Sequence, residues 1–439
     1  MSSDGAITRR QTFGLSAAGV MALTPVAGAA TRSNPPGDAF SEAALQSDLE
    51  TYAGFGVHRS GSRADLATTQ WLGDFFESAG MTVRRRSFEV PNHDALYATL
   101  ELPNGSFELL AQPPFRSAPR NVVEAPLAYA TIAGPATEAA GAILVAETPY
   151  GRHSNVHSGA VSPFFEMAQD LRAAALVLIL NGPSRRAAYL NVDPDADLPL
   201  TALAHPDTAM GLRAAAMEGR TGRLSTPRYA GVRPAENLIA SREREGRRII
   251  VTTPVTGWTR CAGERGPGVA VMRALARWLA EAAPNHSIDF VCTSGHELDD
   301  RGARIYLGQD APDPEAVDLW VHLGAGFAAR NWHETPSGLL PQTSADPQRY
   351  LVATPSELPL ARRSFAGCPG LAESYPLSPE TAAGEAAHIA AAGYRNVIGT
   401  FGAHRLHHTL EDDMRAASGA LTLPAAAAFR AFISSWLAR

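Results

Sequence analysis

The chain has 439 residues, of which 45% are hydrophobic and 19% charged, and its formal net charge is −6. That composition suits a globular protein of one large or two ordinary domains. It leaves no basic footprint for nucleic acid, and no apolar run beyond the N-terminus is expected to span a bilayer. Cys261, Cys292 and Cys368 are too few to form a disulfide framework. A single Cys261–Cys292 bridge and buried free thiols both stay open.

The N-terminus reads as an address. Arg9-Arg10 precedes a mildly apolar run from Leu15 to Val26 and the small residues Ala27-Gly28-Ala29-Ala30. This is the pattern of a twin-arginine export signal over 1–30, cleaved on the way to the periplasm or medium. Residues 31–41 read as a linker. After signal removal no membrane contact is expected.

Ser41 is placed to cap a helix reaching Tyr52, and Ala64–Ala79 forms a second helix closed by Gly80. Residues 81–90 alternate as a strand. The chain changes character over 106–228, with buried strands at 141–146, 174–180 and 198–203 and helices at 163–173 and 206–218. His153 and His157 fall in a polar loop there and read as solvated. Ala235–Ala240 returns as a strand. Further on, 316–323, 348–354 and 396–400 read as strands and 357–366 and 424–438 as helices, while 331–348 reads as irregular.

The organising stretch is Arg247–Leu307. Arg248–Val251 is a β-branched strand ending in a Thr-, Pro- and Gly-rich loop. Glu264 lies in the following Gly-rich loop, before an amphipathic helix over 269–283. A second strand, Ile288–Cys292, ends in Thr293-Ser294-Gly295-His296-Glu297. Two polar loops after two such strands lie side by side at the carboxyl edge of an α/β sheet, where ligands bind. Asp299 and Asp300 read as a solvated turn. Trp258 reads as a pocket wall or as core.

These motifs resemble the zinc aminopeptidases with two co-catalytic metals and their relatives, the glutaminyl cyclases. In that family a loop of Gly-Ala-Asn-Asp type presents a metal-bridging Asp, the next strand ends in two adjacent Glu, and a late His-Thr pair supplies the last ligand. By resemblance, Glu264 stands at the bridging Asp, His296 at the general-base Glu and Glu297 at the metal-binding Glu, with His408-Thr409 as the late pair. The resemblance implies a mixed, mostly parallel sheet between helices. Residues 42–105 and 229–439 form this domain, with an α/β insert over 106–228 similar to a protease-associated domain.

The departures fall on one metal. The early His position holds Thr253 and the middle-strand Asp position holds Gly324 or a neighbour. The other metal keeps Glu264, Glu297 and His408, and one His with two carboxylates and an open position is a catalytic zinc pattern. Arg265, next to Glu264, is placed to neutralise it. His296 is able to act as acid or base near neutral pH. Glu385 matches an active-site Asp of the family, and His322 sits at a strand end as a substitute ligand or substrate contact. His404 and His407 flank His408, one of them placed to orient it.

The expected function is an exported metallohydrolase with one zinc, acting on an amide, peptide or related acyl bond of a small-molecule or peptide substrate. Two alternatives remain. One is a metal-independent acid–base enzyme, a lyase, cyclase or isomerase, using Glu264, His296, Glu297 and His322. The other is a degenerate peptidase that binds a ligand.

Overall fold

A computed structural model describes residues 38–92, 97–113, 121–136, 138–227 and 231–439. The expected export signal and most of the linker lie outside the described residues. The first described helix, α1 (Glu42–Gly54), begins where Ser41 Oγ accepts from Ala44 N. Ser62 caps α2 (Arg63–Ser78) in the same way through Asp65 N. Such side-chain acceptors satisfy N–H groups that the first helical turn leaves without partners.

The main sheet has eight strands. They are β1 (Thr82–Pro91), β2 (Val232–Arg242), β3 (Gly246–Pro254), β4 (His286–Thr293), β5 (Val317–Leu323), β6 (Arg349–Ala353), β7 (Ser374–Pro376) and β8 (Val397–Gly402), in the spatial order 1-2-4-3-5-8-6-7. The central strands β4, β3, β5 and β8 run parallel, while β1, β2 and β6 pair antiparallel to a neighbour. The central strands are buried on both faces, which is why they read as continuous β-branched runs rather than as alternation.

Helix α3 (Gly266–Ala282) lies against this sheet and is buried from Gly266 to Ala276. It starts three residues earlier than periodicity suggests, because Pro267 fits the first helical turn. Helix α4 (Arg301–Gln309) follows β4, α5 (Leu358–Phe365) follows β6 and α6 (Glu385–Ala391) precedes β8. The last helix, α7 (Gly419–Leu437), starts at the Ser418 cap, so Pro424 falls inside it. By length and composition α7 is apolar enough to cross a membrane, contrary to the expectation of no such run. It packs on α1, α3 and α5, and Ala425, Phe429, Phe432 and Ile433 are core residues.

The second sheet closes on itself. Strands Val122–Thr131, Ile143–Glu147, Ala175–Ile179, Thr201–Ala204, Gly105–Ala111, Tyr97–Leu102 and Thr221–Ser225 pair in that order, and the last returns to the first. The result is a seven-stranded barrel with its own apolar interior. A separate cluster joins Phe164, Tyr189 and Leu190 of this region to Ala235, Trp258 and Leu298 of the main domain. The segment expected to be irregular, 331–348, contains a hairpin of Arg330–Thr335 with Gly338–Ala345. Its strands are exposed or half-buried except at Trp332 and are interrupted by Pro341, so no hydrophobic alternation marked them. Cys261, Cys292 and Cys368 are free thiols, all buried.

Candidate active site

The carboxyl ends of β3, β4, β5 and β8 meet at one edge, and a cavity of about 460 Å³ opens there. His296, Asp300, His322, Glu385, His388 and His407 line it, together with Arg152, Asn155 and Asn191 from the barrel region.

His296 follows β4. Its Nδ1 lies 2.8 Å from Asp300 Oδ1 and 3.6 Å from Glu385 Oε1. Asp300 is buried and ion-paired on its other oxygen with His388 Nε2 at 3.2 Å, so it is not the solvated turn residue expected. The clue available in sequence was its position four residues after His296. Asp299 and Asp300 both take left-handed backbone conformations, with φ of 54° and 55°. This strained turn directs the Asp300 carboxylate back at His296. Burial and the Arg265 charge both work against a proton on His296, but Asp300 and Glu385 outweigh them and raise its pKa to about 9. Burial likewise opposes ionised Asp300, and the His296 charge overcomes it, holding the carboxyl below its usual range.

His322 lies near the end of β5, opposite Thr252 of β3. Thr252 Oγ1 accepts from Trp320 Nε1 at 3.0 Å and lies 2.9 Å from His322 Nδ1. The indole can only donate and takes one lone pair of Thr252 Oγ1, which leaves the hydroxyl a second lone pair and its own proton for Nδ1; where the hydroxyl donates to Nδ1, the remaining ring proton sits on Nε2. Burial pushes the His322 pKa down to about 4, and the ring is neutral at pH 7. Glu385 opens α6 after Gly384, whose φ is 57°, and its Oε1 accepts from Thr293 Oγ1 at 2.7 Å.

Beneath the cavity, Glu264 and His408 meet, with His408 Nε2 at 3.3 Å from Glu264 Oε1. Asp412 holds the Glu264 loop by accepting from Gly263 N at 2.7 Å and Glu264 N at 3.1 Å. His408 has a φ of 61° and is tied to the barrel region on both sides. Tyr189 O accepts from Nδ1 at 2.9 Å, and Tyr189 N donates to His408 O at 3.1 Å. The same arm continues to Val192 N, which donates to Glu297 O at 3.1 Å. Sequence reasoning missed this arm, because its contacts are backbone bonds with no residue signature.

Glu297 does not join Glu264 and His408. Its Oε1 accepts from Ser60 N at 2.6 Å and Ser60 Oγ at 2.7 Å, and its Oε2 from Thr256 Oγ1 at 2.9 Å. These carboxylate bonds go to the turn before α2 and to the loop after β3. His58 is buried beside that turn, with Nδ1 at 3.0 Å from Arg260 O and Nε2 at 3.1 Å from Thr68 Oγ1. Trp258 is core, its ring tilted 30° against that of Tyr189, with its Nε1 donating to Asn191 Oδ1 at 2.9 Å. His153 binds Pro149 O and is not part of the cavity lining.

Among the described residues, two groups bring candidate metal-ligand atoms within 4.8 Å of one another: Glu264 with His407 and His408, and His296 with Asp300 and Glu385. Neither fits a zinc ion as arranged. The rings of His407 and His408 stack at 3.9 Å with planes only 20° apart. Imidazole lone pairs lie in the ring plane, and two such planes do not meet within a zinc–nitrogen bond of about 2.1 Å. Glu264 already accepts from the buried Arg265 guanidinium. That cation holds the Glu264 carboxyl well below its usual range against burial, with His407 and His408 assisting. In the second group each carboxylate is already engaged with its neighbours. His404, the other flanking histidine, lies 3.5 Å from Asp412 Oδ2, not against His408.

Solved structures share this architecture. A zinc aminopeptidase from Bacillus subtilis superposes with a TM-score of 0.69 at 15% identity, over 90% of this chain and 95% of that one. The chain has the fold of the zinc aminopeptidases. A peptidase M28 precursor from Shewanella amazonensis SB2B gives 0.67 at 16% identity, covering 92% and 94%. An aminopeptidase from Aneurinibacillus sp. strain AM-1 gives 0.61 at 16%, covering 90% and 93%. No protein-family model matches the sequence, and no curated protein does. On this aminopeptidase fold, the loops after β3 and β4 carry Glu264, His296 and Glu297, as the motif order implied. The barrel overlaps the insert expected over 106–228 and also takes in Tyr97–Leu102, which that expectation gave to the main domain.

Proposed function

We propose that the chain is an exported acid–base enzyme of the aminopeptidase fold, acting on an amide or related acyl bond of a small or peptide substrate. The observation that carries this reading is the convergence of His296, Glu385 and His322 on one cavity, each fixed by a different buried partner. Asp300 anchors His296, Thr293 anchors Glu385 and Thr252 anchors His322. Export follows from the N-terminal pattern and belongs to the same proposal.

Each group has a distinct task. His296 is protonated at neutral pH and acts as the acid, giving its proton to the leaving group while Asp300 steadies the imidazolium. Glu385 is the carboxylate beside it and takes the proton of the attacking nucleophile. His322 stays neutral and donates from Nε2, so it polarises the acyl oxygen without competing for a proton. Arg152, Asn155 and Asn191 line the barrel side of the cavity and supply polar contacts to the rest of the substrate.

The test is a panel of amide, peptide and ester substrates assayed with a strong chelator present. His296→Gln and Glu385→Gln are each expected to lower kcat/KM by about 10²–10⁴-fold. Unchanged turnover in both variants would refute the reading. Turnover that vanishes with chelator and returns with zinc would replace it with the zinc hydrolase that the sequence pattern suggests.

A further inference from the structure

We propose that the Arg265 guanidinium occupies the cation seat of this fold, so that a side chain supplies the fixed positive charge beneath the cavity. Arg265 directly follows Glu264, the residue standing at the metal-bridging position of the motif, and is 1% exposed. Its Nε donates to Thr256 O at 2.9 Å and its Nη2 to Glu264 Oε1. Its Nη1 is buried with no hydrogen-bond partner among the described residues. Glu264 Oε2 is also buried without one.

A buried guanidinium is costly unless paired, and so is a buried carboxylate. Here each supplies the other's counter-charge in place of an ion. The charge is felt across the site: Arg265 acts on Glu264, His296, His322, His407 and Glu385. A divalent ion added beside it would meet a like charge held permanently in place, since arginine does not give up its proton in proteins. Glu297, turned to Ser60 and Thr256, gives no carboxylate to the seat. Arginine at 265 and the redirected Glu297 are thus parts of one rearrangement. This inference does not depend on the roles given to His296, Glu385 and His322.

The experiment is zinc titration by calorimetry on chelator-treated full chain, with elemental analysis of the untreated protein. Wild type is expected to show no zinc dependent on Glu264 or His408. Arg265→Gly opens the seat and is expected to bind one zinc at least about 100-fold more tightly than wild type, as exposed carboxylate and imidazole ligands become available. That gain should disappear in Arg265→Gly combined with His408→Ala, and guanidinium ion at millimolar concentration should compete with zinc for the opened seat. Stoichiometric zinc in wild type that is lost in Glu264→Gln overturns the proposal. So does a folded Arg265→Gly that takes up no zinc. If Arg265→Gly fails to fold, the wild-type and Glu264→Gln measurements decide alone. Zinc that survives both Glu264→Gln and His408→Ala sits elsewhere and counts as an empty seat.

Discussion

His296 Nδ1 lies 2.8 Å from Asp300 Oδ1, and both residues are buried in the loop between β4 and α4. The pair makes stability depend on pH in a defined direction. His296 has a folded pKa of about 9, above its unfolded value. Its contribution is therefore complete below about pH 6.5 and is lost as pH rises through 9. The shift corresponds to about 3 kcal/mol. Asp300 is depressed, so its side of the same interaction is present above its unfolded pKa and fades as pH falls. Asp300→Asn is expected to lose about 3 kcal/mol at pH 7, and urea unfolding should show the gap to wild type narrowing above pH 9. Activity should fall over that range in wild type and nearer neutrality in the variant. A gap of equal size at pH 7 and pH 10 would rule out the ion pair as its source.

Glu297 holds the turn before α2 to the loop after β3 through Ser60 and Thr256. Glu297→Ala leaves two hydroxyls and a backbone N–H buried without that acceptor, at about 1–3 kcal/mol each before relaxation. A loss of at least about 3 kcal/mol is expected in thermal or urea unfolding, with metal content unchanged. Loss of bound zinc together with unchanged stability would mean that Glu297 is a ligand instead.

Much of the main sheet was legible because its central strands carry short, buried apolar runs, and α1 because Ser41 caps it. The loops that carry Glu264, His296 and Glu297 were legible as lying at one sheet edge because strand ends fix where loops start. What Glu297 binds was not, since nothing in its own segment points to Ser60, 237 residues earlier in the chain. Asp300 looked solvated because adjacent acidic residues usually are. Its burial follows from a left-handed turn that neither Asp299 nor Asp300 advertises. Of the barrel, the strands near 141–146, 174–180 and 198–203 were legible, but Tyr97–Leu102, Gly105–Ala111, Val122–Thr131 and Thr221–Ser225 were not, and closure depends on Thr221–Ser225 pairing with both Tyr97–Leu102 and Val122–Thr131. Pairings that distant leave no local pattern.

Thr252 Oγ1 is the partner of His322 Nδ1 and also accepts from Trp320 Nε1. Thr252→Val removes that hydroxyl and leaves two buried ring nitrogens without a partner, at a cost of about 1–3 kcal/mol each. Activity should fall by about 10–100-fold, because the acyl oxygen loses an oriented donor. Thr252→Ser keeps the hydroxyl and should restore most of both. The comparison is read in kcat and in unfolding midpoint. Equal activity in the Val and Ser variants would separate His322 orientation from turnover.

Gly324 or a neighbour stands where the resemblance places the second metal's Asp, and at Gly324 the structure leaves no room for a side chain. A Cβ at this position would lie 2.0 Å from Thr400 O on β8 and 3.1 Å from His322 Nε2. The first contact is with backbone, so relief requires the end of β5 to move away from β8. Those strands are joined by pairings that include Leu323 with Thr400. Gly324→Ala is therefore expected to lose at least about 3 kcal/mol, as forced overpacking against backbone does. Gly324→Asp should be worse, and should not create a second metal site despite restoring the carboxylate. Thermal unfolding of Gly324→Ala is the check. An unchanged midpoint would show that the β5–β8 approach is looser than 2.0 Å implies, and would reopen this edge of the cavity to a ligand.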